Sequence, residues 1–371
     1  MPKLGRPYAQ IIALLAPLLA ATGAPAQAIP VFAHRYGVSC QTCHTIVPEL
    51  NGFGKTFRDA GYRWPARVPV HGTLPLATKI NLAYSSATDP TGLPKAIVDE
   101  VEFLTFSSLG NHLAYRFEQY WIDGGNIGKT RDAYLEYASD PGSFWRGSGA
   151  PVFDVQAGQF TLPLPDDPET MRPTENHYAV FDQTVGRNPF NLFNDGLGLN
   201  VGYGTRYASI NALALEGHDP QSGLPATGTD SMFTARLGPS SLSFWAYLYT
   251  GTRTLGSVPD RFVRRGAAFT SIDGKSQASL LLQTGEDSSP FGTGAPAASS
   301  GGYLQEEWTF GSRWIGTARY DGANGPNGFL RSATLSLSYR AFPAARLTVE
   351  DVYQTRPQTT HTLNAAYLFA F

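Results

Sequence analysis

The feature that most constrains this chain is an alternation of apolar and polar residues in stretches of about ten, repeated from Leu76 to the last residue and punctuated by Gly, Asn, Asp, Pro and Ser. A period of two turns one face of each stretch toward an apolar environment and the other toward a polar one, so each reads as a β-strand. About sixteen strands follow, near 76–86, 97–108, 111–122, 131–139, 152–161, 196–203, 206–216, 230–238, 241–250, 261–272, 275–284, 301–311, 312–321, 330–341, 345–355 and 361–371, with errors of ~3 residues at each end. Connections after even-numbered strands are mostly tight, as at Gly110-Asn111, Gly204-Thr205, Asp273-Gly274 and Phe342-Pro343, whereas those after odd-numbered strands are mostly longer. An even strand count with short turns on one rim and long loops on the other is the pattern of an antiparallel barrel in the bacterial outer membrane.

Parity sharpens this reading. In the last strand Leu363, Ala365, Tyr367, Phe369 and Phe371 share a face, and aromatic alternation up to a terminal Phe resembles the assembly signal of outer-membrane barrels. In the third strand Leu113, Tyr115 and Phe117 would face lipid, turning His112, Arg116 and Glu118 inward; similar parity points Glu100, Glu102, Asp132 and Glu136 into the lumen. The competing reading is a soluble β-sandwich or secreted propeller. Composition agrees with a turn-rich β protein: 39 Gly, 27 Pro, 12% aromatic and only 16% charged residues. A mean hydropathy of −0.19 excludes a bundle of apolar membrane helices. Net charge −2 and a pI near 6.4 exclude a basic nucleic-acid binder, and two cysteines exclude a disulfide scaffold.

Lys3 and Arg6, the apolar run Ile11 to Ala21 and the small residues closing at Ala26-Gln27-Ala28 read as a secretory signal peptide over 1–28; a membrane anchor would need a longer apolar run. Soon after it comes Cys40-Gln41-Thr42-Cys43-His44. This C-x-x-C-H spacing is that of covalent c-type haem attachment. Each thiol can form a thioether to a haem vinyl, and the adjacent His can become the proximal iron ligand. A thioredoxin-type redox pair would need a βαβ context, and a zinc site would need further ligands at matching spacing. One covalently attached haem is therefore expected on a short helical segment, 29–75, ahead of the barrel at 76–371. Val47, Leu50, Phe53, Phe57 and Ala60 recur at helical intervals and could lay an apolar face on the porphyrin, with Gly61 at the C-cap. The segment contains no Met, so the sixth ligand is a His or comes from elsewhere.

The longest connection, Leu162 to Asp195, follows the fifth strand and exceeds the usual length of a structureless loop. In general porins of similar strand number the corresponding loop folds into the lumen, and that resemblance would bring Met171 or His177 toward a haem held inside. His71 in the linker competes as distal ligand; His34 and His112 are weaker candidates, and for Met171 and His177 the plain alternatives are wall packing and a surface position. The loop also carries Asp166, Asp167, Glu169, Glu175 and Asp182, hard oxygen donors suited to Fe(II) or to ions bridging lipid headgroups.

The stretch VFAHRYGVSCQTCHTIVPELNGFGKTFRDAGYRW resembles the haem segment of fused outer-membrane monohaem cytochrome-porins, best known as iron oxidases, in its aromatic-Ala start, C-x-x-C-H, Pro-Glu-Leu and Phe-Gly elements and closing Gly-Tyr. The resemblance implies Cys40 and Cys43 as attachment points and His44 as proximal ligand. It implies a barrel in contact with outer-membrane lipid that moves electrons across the membrane, with extracellular Fe(II) as a donor and a periplasmic electron-carrier cytochrome as acceptor, the haem lying on the periplasmic side or inside the lumen. The alternative is a diffusion or uptake porin in which the haem segment is a plug or sensor. A third reading is peroxide reduction at a haem with an open sixth position.

Overall fold

The computed structural model describes residues 31–64, 76–88, 94–143, 150–168, 172–217, 228–239 and 241–371. The expected signal peptide, the linker containing His71, and Glu169 and Met171 lie outside the described residues. The N-terminal segment consists of α1 (Val31–Tyr36), a 3-10 turn over Cys40–Thr42, a hairpin of β1 (His44–Ile46) and β2 (Glu49–Leu50), and α2 (Gly52–Asp59). No described helix is long and apolar enough to cross a membrane.

The rest is strand: β3 (Leu76–Thr88), β4 (Pro94–Leu109), β5 (Leu113–Asp123), β6 (Asn126–Ile127), β7 (Thr130–Ala138), β8 (Val152–Phe160), β9 (Gly196–Gly204), β10 (Ala208–Glu216), β11 (Thr229–Leu237), β12 (Leu242–Leu255), β13 (Val258–Asp273), β14 (Ser276–Asp287), β15 (Ala297–Phe310), β16 (Trp314–Gly325), β17 (Gly328–Phe342), β18 (Ala345–Thr355) and β19 (Thr359–Ala370). Every pairing is antiparallel between chain neighbours, and β19 pairs with β3 in the register Asn364↔Ser85 to Ala370↔Lys79. This closes a sixteen-stranded barrel, with two-residue β6 as an extra ladder on β5. Closure removes the free edges that an open sheet would expose.

The barrel is inside out relative to a soluble protein. Leu282, Leu304, Leu335 and Phe233 are more than half exposed on its outer face, while Glu102, Glu118, Asp321 and Glu350 are wholly buried in its lumen. An apolar exterior around a polar interior is what a lipid-facing barrel requires. The parity reading holds in the third strand, where Leu113 and Phe117 face out and Arg116 and Glu118 in. It fails for His112, which lies exposed in the turn before β5 with Nδ1 donating to the Ala138 carbonyl at 3.0 Å. The strand starts at Leu113, two residues later than the alternation suggested.

Among the described residues, two pieces of chain occupy the lumen. At the tight-turn end sits the N-terminal segment: Arg63 donates to the Leu113 carbonyl at 2.7 Å, Gln41 to that of Pro343 at 3.0 Å, and Arg340 to that of Thr45. Above it lies the 161–195 connection. Arg319 donates to Thr174 Oγ1 at 2.7 Å and to the Asn176 carbonyl at 2.8 Å; Glu350 accepts from the Glu175 and Asn176 amides at 2.9 and 2.8 Å. The loop folds inward because the wall offers charged partners for its backbone.

Candidate functional site

The site begins with one tight local fold. After the 3-10 turn at Cys40–Thr42, β1 and β2 reverse the chain so that His44 stands opposite Leu50. His44 Nδ1 faces the carbonyls of Pro48 at 3.0 Å and Glu49 at 3.2 Å, so it donates a proton and the other ring nitrogen, Nε2, is the free base. Asn51 then starts α2: its Oδ1 accepts from the Gly54 amide at 2.9 Å, while Nδ2 donates to the carbonyls of Gln41 at 3.0 Å and Thr42 at 3.3 Å. One side chain thus caps the helix and ties it to the cysteine turn. Gly54 lets the two approach, since a Cβ there would lie 2.1 Å from the Cys43 carbonyl oxygen. The helix ends as its sequence suggested, with Gly61 at a φ of +61° after Ala60. Its start differs: Val47 belongs to the hairpin turn, and only from Gly52 onward is the chain helical.

Both thiols and the His44 ring open onto one cavity of about 900 Å³, solvent at its mouth included. Its walls are apolar where they come from the segment, through Phe32, Leu50 and Phe57, and from the barrel, through Leu104 and Phe106. The aromatic rings interlock, with Phe32 at 4.7 Å from Phe57 and 4.9 Å from Phe106. The far wall is charged: Lys79 pairs with Glu102 and Glu100, and Arg116 with Glu118 and Asp132 at 2.6 Å. Burial holds the His44 ring below its ordinary pKa, keeping it neutral as a metal ligand must be. Burial also raises the Cys43 thiol to about 11, with Cys40 adding to the shift, and raises Cys40 as well.

These residues fit a covalently held haem. Two free thiols three residues apart, a neutral imidazole with an anchored Nδ1 and an unpartnered Nε2, and an apolar cavity against which a flat macrocycle can pack are the chemistry that group needs. Of the proposed distal ligands, His71 and Met171 lie outside the described residues, as does the His34 side chain. His177 does not line this cavity. It stacks on Phe193 with ring centres 4.8 Å apart, faces Asp182 at 3.3 Å, and opens onto a second cavity toward the long-loop rim. His112 is in the turn already described. The loop carboxylates are mostly committed to the protein: Asp166 accepts from Tyr303 at 2.6 Å, Asp167 lies 3.5 Å from Arg131, and Glu175 lies 2.9 Å from Arg346. Among the described residues no group of three or more His, Cys, Asp or Glu side chains is placed to hold a metal ion.

Sequence reasoning missed Asn51 and Gly54, although a residue with N-cap chemistry before a helical pattern is a readable signal. It missed the barrel residues Leu104, Phe106 and Lys79 for a stronger reason. Nothing local marks a strand residue as the wall of a site formed by a segment some fifty residues earlier.

No protein-family model matches the sequence. No curated protein matches it either. Solved structures do. The chain is similar to OmpT, an outer-membrane protein of Vibrio cholerae, at 9% identity over 80% of this chain and 98% of that one, with a TM-score of 0.53. It is similar to the outer-membrane channel DcaP of Acinetobacter baumannii at 12% identity, 80% and 96% coverage and TM-score 0.54. It is also similar to Salmonella typhi OmpF, solved with daunomycin, at 11% identity, 80% and 97% coverage and TM-score 0.56. The fold is that of a porin. The likeness, at this level of identity, is one of fold.

Proposed function

We propose that the protein is an outer-membrane cytochrome-porin: a porin-type barrel, its tight-turn rim toward the periplasm, that carries one c-type haem on Cys40, Cys43 and His44 and moves electrons across the membrane. The observation that carries this reading is the shared cavity, onto which two free thiols and the unpartnered Nε2 of His44 open inside the barrel mouth. When bound, the haem supplies a one-electron Fe(III)/Fe(II) couple. The chain's part is to orient His44 through the Pro48 and Glu49 carbonyls, to exclude water with Phe32, Phe57 and Phe106, and to hold the segment against the barrel wall. Extracellular Fe(II) is the proposed donor and a periplasmic electron-carrier cytochrome the proposed acceptor.

A second reading, a diffusion porin with the segment as plug, is favoured by one observation. Beside α2 a cavity of about 1640 Å³, open solvent included, runs from Arg236 and Thr205 at the tight-turn rim to Asp166 and Tyr178 of the inserted loop. The two readings separate experimentally. Pyridine haemochrome analysis should find one haem per chain, and anaerobic stopped-flow mixing with Fe(II) should reduce it rapidly, with loss of both in His44→Ala while the barrel still assembles. A haem that only dithionite reduces, together with a large steady current in planar bilayers, would replace the conduit with the channel.

A further inference from the structure

One ladder of the barrel has no turn to hold it in register. The other ladders join strands close in sequence, whereas β19 meets β3 across most of the chain, with Ala370 opposite Lys79, 291 residues earlier (370 − 79). Closing so long a loop is entropically unfavourable, so this seam is the pairing least supported by local contacts. It is also short. Seven residue pairs run from Asn364↔Ser85 to Ala370↔Lys79, and Thr78 and Phe371 exchange hydrogen bonds of 2.8 and 2.9 Å at the tight-turn end. The ladders on either side of it, β18 with β19 and β3 with β4, have eleven pairs each.

Both pieces of chain in the lumen straddle this seam. Arg346, Leu368 and Asn81 are register partners in a row across β18, β19 and β3. Glu175 of the inserted loop accepts from Arg346 Nη2 at 2.9 Å and from Asn81 Nδ2 at 3.1 Å, so one carboxylate ties together the strands on either side of β19. The N-terminal segment spans the same seam more widely. On the last-strand side Cys40 and Val47 pack with Ala344, Leu368 and Ala370, and Gln41 donates to the Pro343 carbonyl at 3.0 Å. On the first-strand side the Phe32 and Tyr62 rings lie 4.9 and 5.0 Å from that of Phe106, and Arg63 donates to the Leu113 carbonyl at 2.7 Å. We infer that the N-terminal segment, together with Glu175, is an internal clamp on the seam that closes the barrel. Opening the seam must then break these grips on one flank as well as the ladder between β19 and β3. This is a function of the segment separate from carrying haem, because every grip is between protein atoms, and it stands or falls independently of haem content.

The test is hydrogen exchange read by mass spectrometry on the full-length protein in detergent, compared with two variants. Glu175→Ala removes the tie between β18 and β3, and Arg63→Ala releases the segment from β5. Both should speed exchange in peptides from β3 and β19 about tenfold or more, as the loss of even one hydrogen bond to a charged group implies, with peptides from β12 to β14 unchanged. Arg63→Ala is the decisive variant and decides alone if Glu175→Ala does not assemble. Its partner strand β5 is not part of the seam, so a merely local role would confine the effect to β5 and its turn. Rescue supplies the second readout. Ala83 and Ala366 stand opposite each other across the seam, and a disulfide from Ala83→Cys with Ala366→Cys should return exchange in β3 and β19 to the parent's rate in either variant. Parental protection of β3 and β19 in Arg63→Ala overturns the clamp. Faster exchange spread equally to β12–β14 overturns it as well, as does faster seam exchange that the disulfide does not restore.

Discussion

Asn51→Ala should loosen the cysteine-bearing segment while leaving the barrel intact, and the size of the effect follows from three hydrogen bonds. The substitution removes the N-cap acceptor at Gly54, worth about 1 kcal/mol, and the two donors to the Gln41 and Thr42 carbonyls, worth about 1 kcal/mol each. No other side chain caps α2 at this end, so the loss is not replaced locally. Together about 3 kcal/mol corresponds to a roughly 100-fold rise in the open population of the segment. Hydrogen exchange read by mass spectrometry on peptides covering 40–60 should accelerate by that order, with peptides from β12 to β17 unchanged. Asn51→Asp supplies the ordering that a nonspecific effect would not. It keeps an acceptor for Gly54 and loses both donors, so its exchange should fall between wild type and Asn51→Ala. Protection that is unchanged in Asn51→Ala, or an aspartate variant as loose as the alanine one, would refute the argument that this side chain ties the helix to the cysteine turn.

Two further outcomes follow from the same geometry. In protein expressed without haem maturation, Cys43 stays protonated well above the ordinary thiol value of 9, so iodoacetamide alkylation at this position should remain slow at pH 9 and rise only as pH approaches 11; a rate following an unperturbed thiol would contradict its burial. Leu335 is 63% exposed near the middle of β17 on the outer face, so Leu335→Arg should lower the free energy of folding into lipid vesicles by about 2–4 kcal/mol, whereas no loss would mean that this face does not meet hydrocarbon.

The barrel was legible because its information is local. Alternation, turn residues and strand parity placed Arg116 and Glu118 inside and Leu113 outside before any pairing was known, since a strand has only two faces. The C-x-x-C-H motif raised the expectation of haem attachment for a similar reason, since the spacing lies in five consecutive residues. His112 shows the limit, because one residue of uncertainty at a strand end separates a lumen position from a turn. The site's walls were not legible. Phe106 meets Phe32 and Tyr62, and Glu307 meets Glu49, only because a closed barrel brings β4 and β15 around a segment threaded into its mouth. Those pairings depend on the depth of insertion, which no pattern in either partner encodes.

The same lumen contacts bear on whether solutes pass by movement of the inserted loop. Arg319 donates to Thr174 and to the Asn176 and His177 carbonyls, Glu350 accepts two loop amides, and Asp321 accepts the Ala179 amide at 3.0 Å. Hydrogen bonds to charged groups contribute about 1.5 kcal/mol each at the low end, so these six hold the loop in place by about 9 kcal/mol even after allowing for water that would solvate the freed groups. An opening of that cost is populated at about one part in a million. The loop is therefore a fixed partition rather than a gate. Among the described residues, the cavity alongside α2 offers an ion current a path, lined by Lys55, Arg58 and Arg236 and by Asp59, Glu136 and Asp154. Such a current would be steady, and Arg319→Ala, which removes three of the six bonds and leaves about 4.5 kcal/mol of restraint, should leave it unchanged, with the loop open in only about one molecule in two thousand.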